Sequence, residues 1–227
     1  MNAATGASDA WQRSSAAGGA PAGDGSSARL ERLRRAPRAP GEASFFFWDA
    51  QFRREAVKVL PGEYFVCDED LPVMTVLGSC IAACLWDRSA RIGGMNHFML
   101  PDGGSGSGRY GAYAMELLVN GLLKRGASRL ALEAKVFGGG QVIGGMETLN
   151  VGERNTRFAL EYLRTERIPV LAQDVLDVHP RKVCFLPASG RALVKRLVVA
   201  RADDWVARDR AAADALPVSA GGSVDLF

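Results

Sequence analysis

A cysteine and a histidine carry the strongest chemical signal in this sequence. Cys80 follows a Gly-Ser pair at the start of the apolar run "CIAACLW", and His97, one of only two histidines in the chain, follows seventeen residues later. A thiol is a good nucleophile only as the thiolate, and a neighbouring imidazole promotes that ionisation. Cysteine is also among the most frequently buried residue types, so an inert thiol at the start of a strand is the alternative interpretation. The spacing alone leaves both interpretations open.

Sheet geometry predicts how this pair can meet. If "CIAACLW" and "RIGGMNH" form a hairpin around residues 87–90, Cys84 lies opposite Gly93 and Cys80 lies opposite His97. Directly opposed residues of antiparallel strands point to the same face, with Cβ atoms about 5 Å apart. The sulfur and the imidazole are then within hydrogen-bonding reach of each other. A β-bulge at the Gly-Gly pair of the second strand would shift this register by one residue.

The residues around the pair supply the other groups that acyl chemistry needs. Attack of a thiolate on an acyl carbon creates an oxyanion, which preorganised N–H donors stabilise. Gly78 and Ser79 are candidates to present backbone N–H groups to it, because glycine lets the chain approach a ligand closely. A third side chain is expected to orient the imidazole. Thr75, Ser79 and Asn96 are the candidates for that role.

The surrounding elements predict an α+β domain. The stretch "AVKVLPGEYFVCDED" indicates two short strands, and further strands are predicted in "VMTVLGSC", "RLALEAKVFGGG", "PVLAQDVLD", "KVCFLPASG" and "ALVKRLVV". Apolar residues recur at helical spacing between Tyr110 and Leu122, and "GERNTRFALEYLRTERI" predicts a second amphipathic helix. The glycine-rich "DGGSGSGRYG" before the first of these helices is predicted to be a loop. Because strands outnumber helices and short turns join them, α+β is favoured over a doubly wound sheet.

Composition divides the chain of 227 residues into three parts. Residues 1–43 are rich in Ala, Gly, Ser, Pro and Arg and are predicted to be a disordered arm. Such a segment cannot bury enough apolar surface to offset its ordering entropy. Residues 44–206 are predicted to form the single folded domain, a normal size for one, and residues 207–227 are predicted to be a flexible C-terminal tail.

Charge and cysteine usage restrict the class of protein. The net charge is +3, and the basic cluster at residues 29–38 is interpreted as a solvated arm, with a nucleic-acid or acidic-lipid contact as the alternative. The chain shows no secretory signal and no run of the ~20 apolar residues that a membrane span needs. The four cysteines contain no Cys-x-x-Cys pair, which argues against zinc. Four cysteines without a secretory signal favour free thiols over a disulfide framework. We therefore expect a cytoplasmic protein with no metal, no membrane insertion and no nucleic-acid partner.

Four motifs make the sequence similar to the CheD family, the chemoreceptor glutamine deamidases of bacterial and archaeal chemotaxis. They are "LGSCIAACLWD", "GGMNHFMLP", "KVFGGG" and "NVGERN", in that order, within about residues 59–199. The resemblance implies a cysteine-hydrolase-like fold in which β-sheets lie between helical layers, an α/β/β/α arrangement. It also implies that Cys80 and His97 are the catalytic cysteine and histidine.

Two positions depart from the family pattern. The family triad includes a threonine upstream of the cysteine, which some relatives place six residues before it, where this chain has Met74. Thr75 is the hydroxyl available here, and we assign it as the third catalytic residue. A "D-x-G-G" block often found in the family is replaced around "DVLDVHPRK", in which His179 is interpreted as a surface-loop residue.

The resemblance implies hydrolysis of glutamine side-chain amides on the cytoplasmic helices of methyl-accepting chemotaxis receptors. Cys80 would attack the carboxamide and His97 would transfer the proton to the departing ammonia, with no cofactor. The alternative is a binding module that regulates receptors or a CheC-type phosphatase without turnover. Intact Cys80 and His97 favour the enzyme.

Overall fold

The computed structural model describes residues 28–100, 107–141 and 151–197. Three helices, one short 3-10 helix and ten strands lie within these ranges. The helices are α1 (Ala28–Arg35), α2 (Ser107–Lys124) and α3 (Val151–Thr165). The strands are β1 (Phe45–Asp49), β2 (Arg54–Lys58), β3 (Tyr64–Cys67), β4 (Val73–Leu77), β5 (Ile81–Asp87), β6 (Ile92–Asn96), β7 (Leu132–Gly138), β8 (Val170–Val175), β9 (Arg181–Leu186) and β10 (Arg191–Arg196).

The strands of these ranges form two five-stranded sheets. Sheet I has the order β3-β6-β5-β7-β8 and sheet II has the order β1-β2-β4-β9-β10. Neighbouring strands are antiparallel except in the pairs β2–β4 and β7–β8, which are parallel. Mainly antiparallel sheets with a few helices agree with the predicted α+β class, and the two predicted helices are present as α2 and α3.

The faces of β5 show how the layers pack. Ile81, Ala83 and Leu85 belong to an apolar cluster that includes residues of α2 and α3. Ala82 and Cys84 belong to a second cluster that includes residues of sheet II. Sheet I is therefore covered on both faces, which explains why β5 is a continuous apolar run rather than an alternating one.

Sheet II carries a smaller apolar cluster on its other face, formed by Ala56, Met74, Cys184 and Leu186. Helix α1 packs beside β1, and its Leu30 side chain belongs to the core between the sheets. Within the described ranges, helices cover the outer face of sheet I alone. The fourth layer of the α/β/β/α arrangement stays a prediction.

The predicted boundary of the folded part at residue 44 is too late. Leu30 of α1 is only 2% exposed, and Arg38 places its guanidinium over the ring of Phe46, 4.5 Å from its centroid. The backbone N–H of Ala43 donates to Tyr64 O at 2.8 Å. A short amphipathic helix is hidden when the composition of 43 residues is averaged, so residues 28–43 were assigned to the arm. Residues 1–27, residues 102–106 of the predicted loop and the predicted tail lie outside the described residues. The rest of the predicted loop is wrong, because residues 107–111 form the start of α2.

Candidate active site

Three of the predicted site residues face the layer between the two sheets. Cys80 immediately precedes β5 and is completely buried, and His97 immediately follows β6 and is 3% exposed. Side chains alternate along a strand, so Cys80 shares the face of Ala82, and His97 shares the face of Met95. Thr75 of β4 points into the same layer from sheet II, where its hydroxyl reaches the ring of His97.

The predicted register of the β5–β6 hairpin is wrong by two residues. Cys84 pairs with Met95 rather than Gly93, and Ile81 pairs with Phe98. Continuing this register places Cys80 opposite Met99, so that Cys80 and His97 are diagonal neighbours. A shift of two residues preserves the face to which each side chain points. Diagonal neighbours remain within reach of a long or aromatic side chain.

The turn between these strands explains the shift. One oxygen of the Asp87 carboxylate accepts hydrogen bonds from the backbone N–H groups of Ser89 and Ala90, at 2.9 and 3.0 Å. Arg91 takes a left-handed conformation with φ of 57°. These two features close a turn over residues 88–91, one residue later than predicted, and Asp87 becomes the last paired residue of β5.

The hydrogen bonds of Thr75 fix the tautomer of His97. The Thr75 hydroxyl donates to Val59 O at 2.8 Å, and its oxygen lies 2.8 Å from His97 Nδ1. Because the single hydroxyl hydrogen is used by Val59, the imidazole must donate its Nδ1–H to the Thr75 oxygen. The lone pair of the neutral ring is then on Nε2, where a general base needs it.

Burial sets the charge of His97. It lowers the pKa of the imidazole to about 4, with a further lowering from Lys58 that the hydrogen bond to Val59 partly opposes. The ring is therefore neutral at pH 7. Among the described residues, Nε2 has no hydrogen-bond partner. A neutral imidazole with an unengaged Nε2 is suited to accept a proton from a thiol or a water molecule.

The carbonyl groups of the turn that precedes Cys80 accept hydrogen bonds that hold the turn in place. Gly140 N donates to Gly78 O and Gly139 N donates to Cys80 O, both at 2.8 Å. The glycine turn at the end of β7 must come very close, because a Cβ on Gly138 would lie 2.1 Å from Cys80 O and its φ is +108°. Only glycine fits this position. The motif "KVFGGG" therefore supports the turn that precedes Cys80 directly.

The other two positioning candidates differ in where they lie. The Ser79 hydroxyl is 3.8 Å from Met99 Sδ, beside the strand that carries His97. Asn96 points to the opposite face, where its Oδ1 accepts from Ala83 N at 3.0 Å and its Nδ2 donates to Ala114 O at 3.0 Å. Asn96 thus joins β5 to α2 in the layer between sheet I and the helices. The prediction that it orients the imidazole or the oxyanion is wrong.

Two residues near the site were not predicted from the sequence. Asn155 of α3 donates from Nδ2 to Ser79 O at 2.8 Å, although its motif "NVGERN" was recognised. The second residue is Tyr110, whose hydroxyl packs against Gly62: a Cβ added to Gly62 would lie 3.3 Å from it. The backbone N–H of Gly62 in turn donates to His97 O at 2.7 Å. Burial, followed by the negative charge of a Cys80 thiolate, raises the pKa of Tyr110. No local pattern in the sequence signals either contact.

The remaining cysteines have surroundings that suppress ionisation. Cys67, Cys84 and Cys184 are buried and not in disulfides. Burial raises the pKa of Cys67 to about 12 and that of Cys184 to about 12, and it raises the pKa of Cys84 as well. These thiols are therefore protonated at neutral pH.

The block "DVLDVHPRK", which replaces the family's glycine pair, contains two residues in the left-handed conformation that glycine favours. Leu176 and Asp177 have φ of 63° and 69°. The fully buried guanidinium of Arg181 holds this loop by donating to Asp174 Oδ1 at 2.9 Å and to His179 O at 3.0 Å. His179 lies half-buried in the loop between β8 and β9. Its carbonyl oxygen packs close to Gly140, since a Cβ added to Gly140 would lie 3.2 Å from it.

Within the described ranges, no group of three His, Cys, Asp or Glu side chains is arranged to hold a metal ion. In the same ranges, no helix combines the length and the apolar character that crossing a membrane requires.

Curated relatives of this chain carry the name chemoreceptor glutamine deamidase CheD. The family described as CheD chemotactic sensory transduction matches residues 99–196. Probable chemoreceptor glutamine deamidase CheD 1 of Albidiferax ferrireducens is 60% identical over 207 residues, which are 89% of this chain and 88% of that protein. Probable chemoreceptor glutamine deamidase CheD of Thiobacillus denitrificans is 53% identical over 193 residues, which are 82% of this chain and 96% of that protein. The crystal structure of Bacillus licheniformis hypothetical protein YfiH aligns with a TM-score of 0.35 and 11% identity over 51% of each chain, too low for an argument about the fold.

Proposed function

This chain belongs to the CheD family, and we propose that it is a protein-glutamine deamidase that acts on chemoreceptors. The substrates are glutamine side chains on the cytoplasmic helices of methyl-accepting chemotaxis receptors, which become glutamates. The name that the relatives carry supports this substrate class. The four-layer cysteine-hydrolase arrangement and a CheC-type phosphatase as a second partner remain predictions that follow from the family resemblance.

The observation that carries the proposed mechanism is the contact between Thr75 and His97. Their separation of 2.8 Å, with Thr75 bonded onward to Val59, leaves Nε2 of a neutral imidazole as the proton acceptor. Cys80 is on the same face of the same sheet as His97, at the end of the strand paired with it. These positions support the proposal that the Cys80 thiol, the His97 base and the orienting Thr75 hydroxyl act together.

The first half of the reaction forms an acyl-enzyme. His97 Nε2 takes the thiol proton as the sulfur of Cys80 bonds to the side-chain carbonyl carbon of glutamine. The carbonyl oxygen becomes an oxyanion, for which the backbone N–H groups of the Gly78–Ser79–Cys80 turn are the proposed donors. When the oxyanion collapses, the C–N bond breaks and the imidazolium gives its proton to the leaving nitrogen. Ammonia departs and a γ-glutamyl thioester remains.

The second half releases the product. His97 Nε2 accepts a proton from a water molecule as its oxygen bonds to the thioester carbon. The C–S bond then breaks, the proton returns to the sulfur, and the receptor carries a glutamate in place of the glutamine. Each half of the reaction begins and ends with the same neutral imidazole, and the scheme uses no metal or organic cofactor.

Intact-mass analysis of a purified cytoplasmic receptor fragment tests the proposed activity. Conversion of an amide to a carboxylic acid adds about one dalton per glutamine, and peptide mapping identifies the sites. We expect the gain with the parent protein and with Cys84→Ala, and no gain with Cys80→Ala. Cys84 is the matched control because it lies on the same face of the same strand. A fragment whose mass never changes with the parent protein would reject the proposed activity.

A further inference from the structure

Asn155 connects the two ends of the site from a distant part of the chain. It is the fifth residue of α3, and its side chain is completely buried. Nδ2 donates to Ser79 O at 2.8 Å, and Oδ1 accepts from Leu100 N at 3.0 Å. One carboxamide therefore holds both the turn that precedes Cys80 and the segment that follows His97.

The bond to Ser79 sets the direction of one particular N–H group. In a planar trans peptide, the C=O and the N–H point in opposite directions. The peptide that contains Ser79 O also contains the N–H of Cys80. By holding the carbonyl on one side, Asn155 fixes the direction in which the N–H of the nucleophile points on the other. A nucleophile's own N–H is well placed to donate to the oxyanion that its sulfur creates.

Three donors bind the three successive carbonyl oxygens of residues 78–80, and Asn155 is the one that donates from a side chain. Gly78 O and Cys80 O, the carbonyls on either side, are held by the backbone N–H groups of Gly140 and Gly139. Mutation cannot remove those backbone donors without changing the glycine turn itself. The carboxamide of Asn155 can be changed alone, which makes the orientation of this peptide experimentally accessible.

We propose that Asn155 is a positioning residue that orients the Ser79–Cys80 peptide for oxyanion stabilisation. The proposal rests on the proposed deamidation for its effect on turnover, while the clamp itself is a property of the folded chain. Asn155 does not touch the substrate. It acts through the peptide group that it holds, so its loss lowers kcat more than it raises KM.

Asn96 provides a matched control. Its side chain is 1% exposed and, like Asn155, makes one bond from Nδ2 to a carbonyl and one from a backbone N–H to Oδ1. Its partners Ala83 and Ala114 lie on the helix-covered face of sheet I. A purely structural role for Asn155 predicts the same kinetic behaviour when either asparagine is changed.

The experiment compares Asn155→Asp and Asn155→Leu with Asn96→Asp and Asn96→Leu in the full chain. The aspartate at position 155 keeps the acceptor for Leu100 N and loses the donor to Ser79 O, whereas leucine loses both. For each protein we measure the melting temperature, kcat and KM on one receptor fragment, and hydrogen exchange of the peptide covering residues 76–83. If only one of the two variants at a position folds, that variant is compared with the parent protein.

We expect Asn155→Asp to lower kcat at least tenfold, with KM within about twofold, and to speed exchange at residues 79–81. We expect the Asn96 variants to lower the melting temperature while kcat and that exchange stay near parent values. Unchanged kcat in an Asn155 variant, or equal losses of kcat at both positions, would overturn the proposal. If the parent protein deamidates no receptor fragment, the proposed function fails, and hydrogen exchange alone decides whether the clamp exists.

Discussion

Cys80 and Cys84 stand four residues apart on one face at β5, yet their surroundings differ completely. Both thiols are buried, at 0% and 1% exposure. Cys84 lies in the middle of the sandwich, opposite Met95, and burial raises its pKa. Cys80 lies at the end of the strand, where Thr75 and His97 form a polar contact between the two sheets.

The proposed role of Cys80 implies that burial alone does not decide whether a cysteine is reactive. A buried thiol among methyl and thioether groups has no acceptor for its proton, so its charged form is disfavoured. The same thiol beside a neutral imidazole has an acceptor that is itself buried and held in one orientation. The end of a β-sandwich allows this arrangement, because side chains of two sheets and the turns between strands converge there.

The largest expected effect separates the two cysteines. Cys80→Ala removes the nucleophile and should lower the deamidation rate on the order of 10³-fold or more. Cys84→Ala removes only a packed sulfur and should leave the rate within about twofold while lowering the melting temperature. Initial rates on one receptor fragment check both results. Comparable rate losses in the two variants would show that the two cysteine positions do not differ as described.

The next effect concerns the base. His97→Gln leaves a polar side chain of similar length without a ring nitrogen that can accept a proton, and should lower kcat about 10²-fold or more. His179→Gln, on the loop between β8 and β9, is the control and should retain the parent rate. A His97→Gln protein with parent kcat would remove the base from the mechanism.

The charge of His97 also makes a prediction about stability. The folded pKa of about 4 lies below the ordinary value of 6.5, so protonation favours the unfolded chain. The stability that the neutral, buried ring contributes is fully present above pH 6.5 and is lost as the pH falls from 6.5 through 4. Relative to His97→Gln, the parent protein should lose about 3 kcal/mol of unfolding free energy over this window. Urea unfolding at several pH values measures the difference, and parallel curves for the two proteins would contradict it.

The smallest effect is expected at Thr75. Thr75→Val keeps the β-branched shape and removes the oxygen that accepts the Nδ1–H of His97. Val59 O, 3.4 Å from Nδ1, can take over part of that hydrogen bond. The rate should therefore fall only about fivefold, as for the loss of one positioning hydrogen bond of about 1 kcal/mol. Ser79→Ala is measured beside it, and parent turnover in Thr75→Val with failure of Ser79→Ala would assign the third residue to Ser79.

The shared face of Cys80 and His97 was predictable because it depends on local rules. Two apolar runs joined by a short polar turn predict a hairpin, and the two-residue period of a strand decides the face. The error of two residues in register left both side chains on the predicted face. The choice of Thr75 among three candidates was not decidable locally, since Thr75 and His97 belong to different sheets.

The contributions of Asn155 and α1 could not be predicted for two different reasons. The bond from Asn155 to Ser79 joins residues 76 positions apart, and nothing in either local pattern indicates it. The helix α1 has a weak local signal, because Leu30 and Leu33 are its only apolar residues besides Ala28. Its order comes from packing against β1 and the core between the sheets, which an average over the arm's composition does not register.

The central claim, that Cys80 alone among the cysteines is the nucleophile, is tested most directly by partial alkylation. The native protein is treated with iodoacetamide for increasing times at neutral pH, and each sample is divided between peptide mapping and the receptor-fragment assay. We predict that the lost fraction of activity equals the alkylated fraction of Cys80, while Cys67, Cys84 and Cys184 remain unmodified. Full activity in protein whose Cys80 is completely alkylated would contradict the account.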